Sequence, residues 1–117
     1  MTLFNKDGNA VAYIDEDNET IFLWDGTPVA YLDNDNLYGF NGKHLGWYEN
    51  GIIWNHNGEK CGFNKESLPV FAKFEPFKSF KKFKPFKSFK EFPPFKPFKS
   101  SSISKMNFAD FLRLGEK

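Results

Sequence analysis

The chain has 117 residues, 40% of them hydrophobic and 20% aromatic, which predicts one small fold with a marginal core. Its single cysteine excludes an internal disulfide framework. No apolar run is long enough for a signal peptide or a membrane-spanning helix, so we expect a cytoplasmic protein.

The formal net charge of +1 conceals two parts of opposite sign. Residues 1–67, the head, hold four lysines against eleven acids, whereas residues 68–117 hold twelve basic residues against four acids. Opposite charges attract, so we expect the two parts to associate with each other, within one chain or between chains.

Four Asx-Gly dipeptides divide the head into four copies of one unit. Their glycines, Gly8, Gly26, Gly42 and Gly58, are 18, 16 and 16 residues apart. Asx-Gly between alternating apolar residues predicts a β-hairpin with a two-residue type I′ loop. We therefore predict an all-β head, an eight-stranded antiparallel meander of four hairpins around a pseudo-four-fold axis. Closure of the meander would remove its edge strands.

Each unit carries an aromatic residue four positions before its glycine, an aliphatic residue or Cys three positions after it, and a second aromatic five positions after it. With a two-residue loop, alternation places all three on one face of the hairpin. The predicted core is Phe4, Phe22, Tyr38, Trp54, Val11, Val29, Leu45, Cys61, Tyr13, Tyr31, Trp47 and Phe63. The opposite face carries small residues such as Gly39 and Gly62, which predicts close approach of a backbone or a large ring.

The succession Leu3-Phe4-Asn5-Lys6-Asp7-Gly8, with its counterparts in residues 21–32, 38–47 and 55–63, resembles the four-fold β-flower domain family of bacteria. The resemblance covers roughly the first two-thirds of the chain, and its order and spacing recur four times. It implies a four-hairpin β fold around a pseudo-four-fold axis. It supplies no activity.

Residues 68–103, the tail, carry a phenylalanine at every third position. The ten are Phe71, Phe74, Phe77, Phe80, Phe83, Phe86, Phe89, Phe92, Phe95 and Phe98, with lysines and prolines between them. A period of three fits polyproline II, and the alternative is a disordered low-complexity segment. Leaving ten rings in water forgoes on the order of 15–30 kcal/mol, and ordering the backbone costs a comparable sum. We therefore predict an adhesive segment in which order and disorder are balanced, and which a surface such as the acidic head or a neighbouring tail could order.

Residues 104–117 are predicted to form a short amphipathic helix. Ser104 or Asn107 would cap it, and Gly115 would end it. Its apolar side consists of Phe108, Phe111 and Leu112, and either docks on the head or binds a partner.

The sequence offers no nucleophile with its base, no phosphate-binding loop, and no cofactor or small-molecule site. His44 and His56 are expected on opposite faces of their hairpins, so no metal site is predicted, and the acidic connections are expected to be solvated turns.

We predict a non-enzymatic structural or interaction module that associates with itself or with another protein. The alternative is binding of single-stranded nucleic acid or an anionic membrane surface through the tail, which the acidic head would oppose. The candidate contact residues are the ten phenylalanines, Lys78, Lys81, Lys84 and Lys87 of the tail, and Phe108, Phe111 and Leu112 of the helix.

Overall fold

The computed structural model describes all 117 residues and contains eight β-strands and one α-helix. The strands are β1 (Thr2–Phe4), β2 (Ala10–Ile14), β3 (Thr20–Leu23), β4 (Pro28–Asp33), β5 (Asn36–Gly39), β6 (His44–Glu49), β7 (Ile52–Trp54) and β8 (Lys60–Phe63). The helix α1 (Phe108–Arg113) begins after Asn107, whose side-chain oxygen accepts a hydrogen bond from the Asp110 amide and so caps the first turn.

The eight strands close into a barrel. Each strand pairs antiparallel with the next one along the chain, and β8 pairs with β1 through Phe63 and Phe4. Closure leaves no edge strand with unpaired backbone groups. The predicted eight-stranded antiparallel meander of four hairpins, followed by a short C-terminal helix, is confirmed.

The hairpin tips differ from the type I′ loops predicted at Asx-Gly. At the first tip the Asn5 amide donates to the Asn9 carbonyl and the Gly8 amide donates to the Asn5 carbonyl, and the same pair of bonds recurs at the other three tips. Within this tip only Gly8 has a positive φ, of 84°, so the tip is a type I turn whose glycine begins a β-bulge. Paired positive φ angles occur instead in the connection between β6 and β7, at Asn50 (54°) and Gly51 (78°).

The bulge places the aromatic residues on the face opposite to the predicted one. In the first hairpin Leu3 lies opposite Ala12 but Phe4 lies opposite Ala10, and Val11 has no partner. A one-residue change of register exchanges the two faces of a strand. The eight aromatic residues that were predicted for the core therefore lie on the outer wall of the barrel. They are Phe4, Tyr13, Phe22, Tyr31, Tyr38, Trp47, Trp54 and Phe63.

Aliphatic side chains and α1 fill the barrel interior. Val29, Leu45 and Cys61 lie there as predicted, together with Leu3, Ala12, Ile14, Ile21, Leu23, Ala30, Leu37, Ile53, Phe108, Phe111 and Leu112. The Phe108 ring lies against Gly62, where a Cβ would overlap it, and Gly115 packs on Gly39. The predicted approach of a large ring and of a backbone to the small residues is therefore confirmed at these two glycines.

The molecule is a flat disc with principal extents of 38 × 37 × 22 Å. Strands of three to six residues are about 10–20 Å long, which matches the short dimension, so the barrel wall forms the rim of the disc. The tail contains no helix or regular strand and runs along this rim. With only six residues in α1, no helix of the chain has the length and apolar character needed to cross a bilayer.

Candidate interaction surface

The tail contacts the barrel at every hairpin tip. The backbone carbonyls of four tail residues lie so close to the four turn glycines that a Cβ on any of the glycines would overlap them. The contacts are Phe71 on Gly8, Phe80 on Gly26, Phe89 on Gly42 and Phe98 on Gly58. Two residues further along the tail, an amide donates to the carbonyl of the same glycine at 2.8–2.9 Å. The turn glycines therefore both form the hairpin tips and receive the tail.

These four contacts are nine residues apart, and the tail sequence repeats with the same period. Residues 73–81, 82–90 and 91–99 read KFEPFKSFK, KFKPFKSFK and EFPPFKPFK. A quarter of a circle 37 Å across is about 29 Å long, and nine residues of polyproline II cover roughly 28 Å. One nine-residue unit thus reaches from one tip to the next. The three-residue period of the tail does not indicate that it wraps around the barrel. The three nine-residue units would have indicated it, because four hairpin tips in a row are joined by three intervals.

Lysines of the tail pair with acids in and beside the connections between hairpins. Six lysines contact six carboxylates at N–O distances of 2.6–3.2 Å. The pairs are Lys81–Asp15, Lys84–Asp17, Lys87–Glu19, Lys90–Asp33, Lys96–Asp35, Lys96–Glu49 and Lys99–Glu49. The hydrogen bonds from Lys81 to Asp15 and from Lys96 to Asp35 lower the pKa of each carboxyl group. Exposed pairs are individually weak, but together they bring the basic tail onto the acidic head of the same chain.

Lysine side chains of the tail also cover the aromatic outer wall. Lys78 Nζ lies 4.4 Å from the ring centre of Tyr13 and 5.5 Å from that of Trp24, within the range of cation–π attraction. The Trp24 Nε1 donates to the carbonyl of Pro76 at 3.0 Å. Tyr13 is 4% exposed although it lies outside the interior cluster. Tyr13 is therefore buried between the barrel and the tail, and tail lysines also lie over the rings of Phe22, Tyr31, Tyr38 and Trp54.

The phenylalanines of the tail point to solvent, because its lysines and amides turn to the barrel. All ten are 89–103% exposed. A phenylalanine side chain presents roughly 150–250 Å², so the ten present about 2,000 Å² of a molecular surface of 7110 Å². Monomeric proteins rarely expose apolar patches larger than a few hundred Å². We call this row of rings, from Phe71 to Phe98, the phenylalanine belt.

One protein family, described as 4-fold beta flower protein, has a sequence model that matches residues 1–112. The chain belongs to the β-flower family. The match includes the tail and most of α1, and so extends beyond the part of the chain on which the resemblance rests. No match was found among curated proteins or among solved structures.

In this β-flower chain, not every predicted contact residue is available to a partner. Phe108, Phe111 and Leu112 are 3%, 6% and 0% exposed, because the apolar side of α1 docks inside its own barrel. The four predicted contact lysines, Lys78, Lys81, Lys84 and Lys87, turn to rings or carboxylates of the head. Of the predicted set, the ten phenylalanines alone face outward without a partner.

The β-flower barrel brings together His44 and His56, so the prediction that they lie on opposite faces is wrong. His44 Nδ1 lies 2.9 Å from His56 Nε2, and the two rings are nearly parallel, at 9°. His44 Nε2 lies 3.0 Å from the side-chain oxygen of Asn36, and the Glu91 carboxylate accepts from the His44 amide at 2.8 Å. An amide oxygen only accepts, so the neutral His44 donates from Nε2 and accepts at Nδ1. No group of three or more His, Cys, Asp or Glu side chains is placed to hold a metal ion.

We expect His44 to stay neutral under mildly acidic conditions. Burial, followed by the nearby His56, lowers the pKa of His44 to about 4. Because the unfolded chain takes up this proton near pH 6.5, the free energy of unfolding should fall as the pH drops from about 6.5 towards 4. An NMR titration should give a midpoint for His44 near pH 4. The His44→Phe variant keeps a ring and should lose this component of the pH dependence; an ordinary midpoint near 6.5 would contradict the prediction.

Proposed function

We propose that this protein is a non-enzymatic interaction module, in which a rigid barrel presents the phenylalanine belt to a partner. The observation that carries the proposal is the near-complete exposure of all ten rings. Burying each ring on a partner would contribute roughly 1.5–3 kcal/mol. The buried Cys61, whose pKa burial raises to about 12, fits a reducing compartment, and we propose the cytoplasm.

The way the tail is held supports this proposal. Backbone hydrogen bonds fix it at all four turn glycines, and ion pairs join it to the connections between the hairpins. Its backbone is thus ordered before any partner arrives. Binding of an ordered segment loses less conformational entropy than binding of a disordered one.

The second candidate, binding of single-stranded nucleic acid or an anionic membrane surface, has less support. It requires the lysines of the tail to meet phosphate groups. Six of these lysines already contact carboxylates of the head, and Lys78 lies over aromatic rings. A polyanion would have to replace those contacts and approach the acidic head.

A variant of the belt tests the proposal. Phe77, Phe86 and Phe95, each following a proline, are replaced together by serine to give the belt variant. These side chains are 92–102% exposed, so we expect the fold, followed by near-ultraviolet circular dichroism, to be unchanged. The parent protein should bind the neutral apolar dye Nile red, and the belt variant should bind it much less strongly.

The matched control replaces three apolar residues outside the belt, Val70, Met106 and Leu114, which are 44–48% exposed, by serine. It should bind the dye as the parent does. Equal dye binding by the parent and the belt variant would refute the proposal. Binding of a single-stranded oligonucleotide that weakens steeply with salt, and that survives in the belt variant, would favour the second candidate instead.

A further inference from the structure

We propose that the partner of the phenylalanine belt is a further copy of this chain, and that belts join several copies edge to edge in an open layer. The inference rests on the proposed function, because it names the occupant of the same surface. Three features of the belt carry it: the spacing of its rings, the convexity of the rim, and the charge of the chain.

The spacing of the rings fits insertion of identical rings from a second belt. Three residues of polyproline II advance the backbone by roughly 9 Å, which sets the spacing of neighbouring rings along the rim. A ring from another copy placed midway would lie about 4.5 Å from each neighbour, within the range of aromatic pairs. A row with this repeat is complementary to itself, so two antiparallel rows can interdigitate about a two-fold axis.

The nine-residue units divide nine of the ten rings of the belt, all except Phe71, into three equivalent arcs of three rings. The arcs are Phe74, Phe77 and Phe80; Phe83, Phe86 and Phe89; and Phe92, Phe95 and Phe98. Each arc lies between two successive hairpin tips, so the arcs cover three quarters of the rim. The remaining quarter, between the tips at Gly58 and Gly8, carries no arc.

The convexity of the rim limits what one contact can bury. When two discs 37 Å across meet at their rims, with rings roughly 9 Å apart, the curvature lets about three rings of each copy contact the other copy. Six rings at roughly 150–250 Å² bury about 1,200 Å² in total, at the lower limit of a stable interface. A single contact is therefore weak, and a copy covers its belt only by using all three arcs. Such multivalent contacts favour an open layer over a closed dimer.

The charge of the chain permits this packing. The formal net charge is only +1, so copies do not repel one another strongly at a distance. Six of the nine lysines of the tail contact carboxylates of their own head. Neighbouring rims would thus meet through the rings with little unpaired positive charge between them.

Sedimentation of the purified full chain tests the inference. The parent protein should form assemblies that grow with concentration and continue past the dimer. The belt variant should sediment as a monomer at every concentration, and the control variant should assemble as the parent does. Replacing Phe86 alone by serine weakens one arc of the three, and should give smaller assemblies than the parent. A monomeric parent, or a belt variant that assembles like the parent, would overturn the inference.

A second measurement identifies the contact directly. The F86C variant should form disulfide-linked pairs of chains on mild oxidation, whereas a cysteine in place of Met106, outside the belt, should form few. The native Cys61 does not interfere, because it is buried and its pKa is raised to about 12. Equal cross-linking at the two positions would overturn the inference.

Two outcomes separate this inference from the proposed function. A parent that stays monomeric but binds Nile red through the belt would overturn self-association and leave the interaction module standing. A monomeric parent that instead sediments with phosphatidylcholine vesicles, when the belt variant does not, would show that the belt binds a lipid bilayer and not a second copy of the chain. A parent protein that neither assembles nor binds Nile red would refute both proposals.

Discussion

Replacing Phe108 by alanine should lower the free energy of unfolding by about 3–5 kcal/mol. The side chain is 3% exposed and belongs to the interior cluster, where its ring lies against Gly62. Gly62, which faces the ring, has no side chain that could fill the space left by the ring. Chemical unfolding followed by tryptophan fluorescence would measure the change.

The matched control is the same substitution at Phe98, which is 99% exposed. Its effect on the free energy of unfolding should be within about 0.5 kcal/mol. Comparable losses at the two positions would mean that α1 does not fill the barrel interior. A loss at Phe108 alone would show that the C-terminal helix is part of the core of the head.

Replacing Gly26 by alanine should lower the free energy of unfolding by about 2–3 kcal/mol and displace the tail at that tip. Gly26 has a φ of 90°, which costs an alanine roughly 1–2 kcal/mol. The new Cβ would also overlap the Phe80 carbonyl, so the hydrogen bond from the Lys82 amide to the Gly26 carbonyl would be lost. Hydrogen exchange of the Lys82 amide would report the local displacement.

Gly51→Ala provides the control for backbone strain. Gly51 also has a positive φ, of 78°, but its Cβ would meet the side chains of Asn64 and Ser67 and not the backbone of the tail. This variant should lose stability while the Lys82 amide keeps its protection. Equal exposure of that amide in the two variants would argue against a specific contact between the tail and the tip.

The number and pairing of the strands could be predicted from the sequence because they depend on local chemistry. Gly8, Gly26, Gly42 and Gly58 lie at the hairpin tips, and the apolar residues around them alternate as strands require. Which face points inward could not be predicted in the same way. Asx-Gly suits both a two-residue type I′ loop and a type I turn with a bulge, and the two differ by one residue of register.

The position of the tail could not be predicted from its three-residue period, because that period describes only the local backbone. The prediction that Phe22 and Tyr13 lie in the core is wrong, because their rings stack on each other at 5.6 Å on the outer wall. Cover for that wall comes from lysine side chains 50 or more residues away in sequence, such as Lys78 and Lys81. The only sign of these long-range contacts in the sequence is the nine-residue repeat of the tail beside the four repeats of the hairpins.

The outward rings make no side-chain contribution to holding the tail in place, since its backbone amides and lysines do so. Every third position from 71 to 98 is therefore free to change identity without cost to folding. The same scaffold can display ten interchangeable side chains in fixed circular order. Grafting charged or metal-binding residues at these positions would redirect the rim to new partners while the barrel beneath stays the same.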